Sequence, residues 1–265
     1  MQYPKFSVIT PSYNQAQYLE KTIESVISQE YPNLEYIIID GGSTDGSLEI
    51  IKKYSQYITY WISEKDSGQT EAINKGLKIA TGDWIAWQNS DDIYLPGAFL
   101  KIAETIQSNK HAKLVAANMY LIDVNGDVIR DLRYVTPTFG SLRAEGMILS
   151  NQASFWSKDI NATLGYLRED LNYAFDYEWF LRILQSYDAV HVDFFAGALR
   201  LHEATKTHNS LSMFDAEHLI IDREYGKACK PSKVYYILRR LLLTAIQGNF
   251  RYIFRGALRR LNAKQ

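Results

Sequence analysis

The 265-residue chain is short of the features that mark secreted and membrane-spanning proteins. Its one cysteine, Cys229, has no partner for an internal disulfide, which excludes a disulfide scaffold and fits a reducing cytoplasm. No apolar run approaches the roughly 18 residues that cross a bilayer, which argues against an integral channel or transporter. Met1–Lys5 leads straight into a strand-like run, so no signal peptide is expected. With six prolines and 15 glycines there is no collagenous or low-complexity segment, and 46% hydrophobic with 22% charged residues is the balance of a globular protein. Acids are missing altogether after Gly226, against ten basic residues from Lys227 to Lys264. Residues 1–226 therefore carry nineteen basic against thirty acidic side chains, a net −11, while the whole chain carries −1. An acidic body (1–226) with a basic attachment tail (227–265) is the expected organisation.

Within the body, residues 1–110 read as strands alternating with helices. Strands are predicted at Phe6–Thr10, Glu35–Asp40, Tyr57–Ile62 and Asp83–Gln88. The first three lead to apolar residues at helical spacing, and Pro96 is placed in a first helical turn after the fourth. Tyr36-Ile37-Ile38-Ile39 is apolar on both faces, as strands of a parallel sheet are. The pattern predicts an α/β fold with a mostly parallel, doubly wound, Rossmann-like sheet and a C-terminal amphipathic helical appendage. Residues 111–226 are less regular. Leu114–Asp123 and Val128–Val135 flank Asn125-Gly126 as a hairpin, Asp176–Gln185 reads as a helix, Ala189–Leu201 as a strand and Glu203–Leu211 as a polar loop. The tail divides at Gly248-Asn249 into two amphipathic helices.

Open α/β sheets bind ligands at the carboxyl ends of their strands. Polar clusters fall on that edge at Pro11–Asn14, Asp40–Ser43 and Asn89–Asp92. Gly41–Gly46 is neither a Walker loop nor a dinucleotide fingerprint. The acids at the edge point instead to a divalent cation that would offset a phosphorylated ligand.

Five short motifs occur in one order. They are Thr10-Pro11-Ser12-Tyr13-Asn14, Asp40-Gly41-Gly42-Ser43-Thr44-Asp45-Gly46, Asp66-Ser67-Gly68-Gln69, Ala72-Ile73-Asn74-Lys75-Gly76 and Asn89-Ser90-Asp91-Asp92. Together they resemble the family 2 inverting glycosyltransferases of the GT-A fold, over about residues 5–210. The resemblance implies a donor that is a nucleotide-diphosphate sugar, a UDP-sugar as the first expectation, and Mn²⁺ or Mg²⁺ as cofactor. Asn89, Ser90 and Asp91 fall on the family's Asp-x-Asp motif, with Asn89 neutral where the family has its first acid. Asp91 would hold the metal, and Asp92 would either ligate it directly or cap a helix or support its neighbour. Pro11, Tyr13, Asn14, Asp40, Asp66 and Gln69 would line the nucleotide-sugar site, with Tyr13 stacking on base or ribose. Gly41 stands where many relatives have an aspartate that contacts the base, so Asp40 is the candidate for that contact. Asp45 reads as a cap.

Three later segments extend the resemblance. Residues 151–156 (Asn-Gln-Ala-Ser-Phe-Trp) are similar to the acceptor-side segment, and Asp176 matches the general base at the start of a helix, ahead of Glu178. His202, followed by Thr205 and Thr207, resembles the histidine of a loop closing over the nucleotide and is a candidate to ligate the metal or to contact the diphosphate. The implied activity is transfer of one sugar, with inversion, to a glycan or lipid-linked acceptor in surface-polysaccharide synthesis. The competing readings are a nucleotidyltransferase, for which Pro11–Asn14 offers no basic glycine-rich loop, and a non-catalytic nucleotide-sugar or glycan-binding protein. In the tail, Arg251, Arg255 and Arg259 repeat beside the apolar row Phe250, Ile253, Phe254, Ala257, Leu258 and Leu261. That pattern suits the anionic inner face of the cell membrane, or else packing on the body or on a partner. Nothing reads as a nucleic-acid site, and the pattern does not specify an oligomeric state.

Overall fold

The structure, a computed structural model, describes residues 3–203, 211–226 and 229–262. The first half runs β1 (Phe6–Ser12), α1 (Ala16–Ile27), β2 (Leu34–Asp40), α2 (Ser47–Lys53), β3 (Tyr60–Ser63), α3 (Gln69–Ile79), β4 (Trp84–Trp87), β5 (Ile93–Tyr94) and α4 (Ala98–Ser108). The second half runs β6 (Leu114–Ile122), β7 (Val128–Leu132), α5 (Phe139–Glu145), β8 (Ser154–Ser157), α6 (Asp159–Leu164), α7 (Phe175–Ser186) and β9 (Ala189–Arg200). Three helices follow, α8 (Leu211–Tyr225), α9 (Lys230–Ile246) and α10 (Phe250–Asn262).

The nine strands among the described residues join one sheet in the order β3-β2-β1-β4-β8-β6-β9-β5, with β7 added to β6. The strands β3, β2, β1 and β4 are parallel, as the βαβ pattern predicts. Beyond them the sheet is mixed: β8 runs antiparallel to both β4 and β6, and β6 runs parallel to β9. Both faces are covered, so alternate residues of one strand enter different cores. Val8, Ile38 and Ala86 pack on the side that includes Leu19, Ile23 and Phe99; Ile9, Ile39 and Trp87 pack on the side of Ile73, Trp179 and Phe180. This two-sided burial is why the strands are apolar throughout. At Gly76 a Cβ would lie 2.5 Å from Ile9 Cγ2, so the absence of a side chain lets α3 rest directly on β1.

Two boundaries move for local reasons. The third strand was expected over Tyr57–Ile62, but Ser55–Tyr57 forms a 3₁₀ turn and the strand starts at Tyr60. The helix expected to begin near Pro96 begins at Ala98, after Gly97 in the left-handed region at φ 76°. The polar loop expected at Glu203–Leu211 lies largely in residues 204–210, outside the described ones, while Leu211 opens α8.

The tail does not trail from the body. Arg240 Nε pairs with Glu145 Oε2 of α5 at 2.6 Å, and both Arg239 Nη atoms donate to the Thr136 carbonyl at 3.2 Å. Gln247 meets His191 of β9 at 3.2 Å, and Arg255 pairs with Asp131 of β7 at 2.9 Å.

Candidate functional site

The carboxyl ends of β1, β2 and β4 bring the three polar clusters to one edge. In the first, Asn14 sits at φ 50°, where its backbone N–H donates to Ser43 Oγ (2.8 Å) and its Oδ1 accepts from the Thr44 N–H (2.9 Å). Asn14 therefore clips the β1 loop to the β2 loop. Pro11 is buried in register with Ile39, whereas Tyr13 projects with 61% of its surface exposed. Asp45 accepts from Ser47 N–H (3.1 Å) and Ala16 N–H (2.8 Å), fastening the starts of α2 and α1.

The second cluster revises the expectation for Asp40. This carboxylate is fully buried and accepts from the N–H groups of Gly42 (3.1 Å) and Ser43 (2.9 Å) and the hydroxyls of Ser43 (2.5 Å) and Ser63 (2.7 Å). Both oxygens are spent on the turn, so Asp40 builds the edge instead of facing it. Asp66 faces the neighbouring position. A Cβ on Gly41 would fall 2.7 Å from Asp66 Oδ2, so the missing side chain at 41 is the space that the Asp66 carboxylate fills. Burial pushes the Asp66 carboxyl upward, against the hydrogen bond from Gly68 N–H, with the charges of Glu71 and Asp40 adding to the rise.

The third cluster is tied inward by Asp92 and outward by Asp91. Gln69 Nε2 donates to Asn89 Oδ1 (2.8 Å), and Asn89 Nδ2 donates to Asp92 Oδ2 (3.0 Å). Asp92, 2% exposed, also accepts from Gln152 Nε2 (2.6 Å) and from the Arg200 N–H (2.8 Å). Burial, and then the charge of Asp91, push the Asp92 carboxyl well above the usual carboxylate range. Asp92 thus supports its neighbour from beneath, and Ser90 is buried beside it. Asp91 Oδ2 lies 2.9 Å from His202 Nε2, and the His202 ring packs on Tyr18 with centroids 4.9 Å apart.

Arg200 belongs to none of the sequence motifs. It is 1% exposed and donates through Nε to the Asp91 carbonyl (2.9 Å) and through Nη1 to those of Asp123 (3.0 Å) and Val124 (3.1 Å). Its guanidinium also lies over the Tyr18 ring at 5.1 Å. A buried cation two residues before His202 places positive charge directly behind Asp91. An arginine closing an apolar strand was the available signal.

Asp176 stands in the first turn of α7, half-buried, with Oδ1 accepting from the Tyr177 N–H (2.7 Å). The segment leading to it is fastened to the start of α3. Thr70 Oγ1 donates to the Leu171 carbonyl (3.1 Å), and Asn74 exchanges hydrogen bonds with the Leu167 backbone (2.9 and 3.0 Å). The chain ahead of α7 is therefore tied to the helix that begins at Gln69. Glu178 points away, into a pair with Arg182 at 2.7 Å. Gln152, from the segment read as acceptor-side, instead holds Asp92.

Among the described residues no group of three or more His, Cys, Asp and Glu side chains could hold a metal by itself. The pair Asp91–His202 fits a divalent cation differently. One carboxylate oxygen and one imidazole nitrogen converge, and a hard cation bound to a diphosphate completes its shell with phosphate oxygens and water. The membrane candidates lie elsewhere. Arg251 is exposed, Arg255 is 53% exposed though paired with Asp131, and the Arg259 side chain, like Thr205 and Thr207, lies outside the described residues.

The chain is similar to known proteins. Residues 7–167 match the family described as Glycosyl transferase family 2. TuaG of Bacillus subtilis (strain 168), whose name assigns it to teichuronic acid biosynthesis as a glycosyltransferase, is 43% identical over 94 residues, 34% of this chain and 36% of TuaG. The chain spans about half the length, or less, of curated relatives of this kind. S. aureus TarS 1–349, solved with UDP-GlcNAc, gives a TM-score of 0.68 at 20% identity over 88% of this chain and 69% of that one. The mannosyltransferase PcManGT from Pyrobaculum calidifontis, solved with GDP-Man and Mn²⁺, gives 0.64 at 18% identity over 89% and 69%. The fold is of the GT-A type.

Proposed function

This chain belongs to glycosyl transferase family 2, and from that premise we propose that it moves one sugar from a nucleotide-diphosphate donor to a glycan or lipid-linked acceptor, with inversion. The observation that carries the reading is the Asp91–His202 pair, 2.9 Å apart beyond the carboxyl end of β4; the position of Asp176 in the first turn of α7 supports it as the base. A UDP-sugar is the first candidate donor, supported by TarS with UDP-GlcNAc, and GDP-mannose is the second, supported by PcManGT. The name of TuaG supports surface polysaccharide as the product.

In this reading Asp91 and His202 hold Mn²⁺ or Mg²⁺, which when bound offsets the charge that builds on the departing diphosphate. Tyr13, free at the edge, stacks on the base or ribose. Asp66 takes the contact that Asp40 cannot make, while Gln69 and Asn89 present neutral amides to the donor. Asp176 accepts the proton of the acceptor hydroxyl. As it does so the acceptor oxygen bonds to the anomeric carbon, and the bond from that carbon to the diphosphate oxygen breaks on the opposite face. Arg200, fixed under Asp91, adds positive potential without touching the ligand.

The tail supports attachment to an anionic membrane face on the cytoplasmic side. No helix among the described residues is long and apolar enough to cross a membrane. Yet α9 turns an uncovered apolar row outward, Val234, Leu238, Leu242 and Ile246, from 58% to 72% exposed, and Phe250 and Phe254 of α10 are exposed as well. Lys233 and Arg251 flank this surface as exposed basic side chains, which suits a shallow apolar seat among anionic headgroups.

The test begins with thermal shifts on UDP-glucose, UDP-galactose, UDP-N-acetylglucosamine and GDP-mannose, with and without Mn²⁺. With the donor so chosen, Asp176→Asn should keep donor affinity while turnover falls by about 10²-fold or more. Unchanged turnover would remove Asp176 as the base. Donor binding with no turnover in the wild type would favour a non-catalytic binding protein.

A further inference from the structure

We propose that Glu217 is a positioning residue for the transfer step: from α8 its carboxylate fixes the backbone that presents Asp176. The proposal rests on the reading of Asp176 as the base. The start of α7 carries no side-chain cap of its own, since its N-cap is Ala174. The three consecutive N–H groups ahead of Phe175 converge on the one carboxylate. Asn172 N–H donates to Oε1 at 2.8 Å, Tyr173 N–H to Oε2 at 2.9 Å and Ala174 N–H to Oε2 at 2.8 Å. Glu217 is 9% exposed, so these bonds are largely shielded from competing water. Charge-assisted bonds to a carboxylate are short and directional, and three of them fix the planes of three successive peptides. The last of those residues lies two positions before Asp176.

The rest of α8 explains why Glu217 arrives there. Phe214 packs on the Tyr173 ring (5.3 Å), His218 on the Tyr177 ring (4.7 Å), and Ile221 is buried in the core. Tyr225 donates to Glu178 Oε1 at 2.8 Å. These residues, with Glu217, form one helical face seated across the first turn of α7. Ring packing and Ile221 seat the helix, whereas Glu217 grips the backbone itself. A general base works only within hydrogen-bond reach of the acceptor hydroxyl, and a misplacement of about 1 Å can cost about 10²-fold in rate. By connectivity α8 also follows the segment after His202, so one stretch of chain joins the metal candidate to the support of the base.

Glu217→Gln keeps size and packing but replaces one acceptor oxygen with an NH₂ group, which faces at least one of the three N–H donors. With the donor selected by thermal shift, in Mn²⁺, turnover is read as nucleoside diphosphate released, water serving as acceptor. The expected result is a kcat lower by about tenfold or more, with donor KM and Mn²⁺-dependent UDP affinity unchanged. Because the effect runs through Asp176, Glu217→Gln should add little to Asp176→Asn in the double variant. A wild-type kcat in Glu217→Gln, or losses that multiply in the double variant, would overturn the proposal while leaving the base intact. Near-normal turnover in Asp176→Asn alone would overturn the base assignment and this role with it. Should Glu217→Gln fail to fold, Glu217→Asp keeps both oxygens on a shorter arm. A lowered kcat at constant KM in that variant supports the proposal, and a wild-type kcat overturns it.

Discussion

Replacing Asp92 by alanine should unfasten the β4 end from two other parts of the chain at once. The carboxylate accepts from Gln152 Nε2, Asn89 Nδ2 and the Arg200 N–H, donors that come from three separate segments. Each buried donor left without an acceptor costs about 1–3 kcal/mol. Asn89 is partly accessible and can turn to water, so two full penalties and a fraction remain, about 2–7 kcal/mol. Against this stands the relief of removing a carboxylate that burial and Asp91 disfavour, which brings the net loss to about 3 kcal/mol. That is a large part of the roughly 5–15 kcal/mol that holds a domain folded. Asp92→Asn should cost less. Its remaining oxygen can serve the Gln152 and Asn89 donors, leaving only the Arg200 N–H facing an NH₂ group, for about 1 kcal/mol. Urea denaturation at constant m reads both values. The alanine variant should also bind UDP and Mn²⁺ more weakly, since Asp91 loses its support. An alanine variant within about 0.5 kcal/mol of wild type, or an asparagine variant as damaged as the alanine one, would show that Asp92 does not fasten these segments.

Two further expectations lie away from the edge. Burial would raise the Glu35 carboxyl, but hydrogen bonds from Ser7, Thr81 and Lys5 outweigh it and hold it at about 2, below the ordinary 4.5. Its stabilisation is therefore complete above pH 4.5 and lost as pH falls through about 2; the wild type should exceed Glu35→Gln by about 2 kcal/mol at neutral pH, the gap closing across that window in acid denaturation. Leu242→Glu, on the uncovered face of α9, should release the protein from anionic liposomes without altering its melting temperature, and equal sedimentation of variant and wild type would refute the membrane seat.

Much of the fold could be read locally. Apolar runs and turn residues marked β1, β2, β4 and the β6–β7 hairpin within a residue or a few, because strand and turn preferences act over neighbours. The antiparallel insertion of β8 between β4 and β6 carries no such mark, since it depends on pairing across about 40 to 70 residues. The site divides in the same way. Asp91, His202 and Asp176 stand in motifs that survive as short strings. The residues that hold them are remote in sequence: Gln152 for Asp92, Arg200 for the Asp91 carbonyl and Glu217 for the loop before α7. Asp40 misled because a strand-end acid has two uses, facing a ligand or closing its own turn. Only the positions of Ser43 and Ser63 decide between them.

In the proposed function the Asp91–His202 pair holds a divalent cation against the diphosphate of the donor. Titration calorimetry of UDP into the intact protein, with and without Mn²⁺, addresses it directly, in wild type and in Asp91→Ala. Mn²⁺ should tighten UDP binding by at least about tenfold in the wild type and have no effect in the variant. Undiminished Mn²⁺-dependent affinity in Asp91→Ala would contradict it.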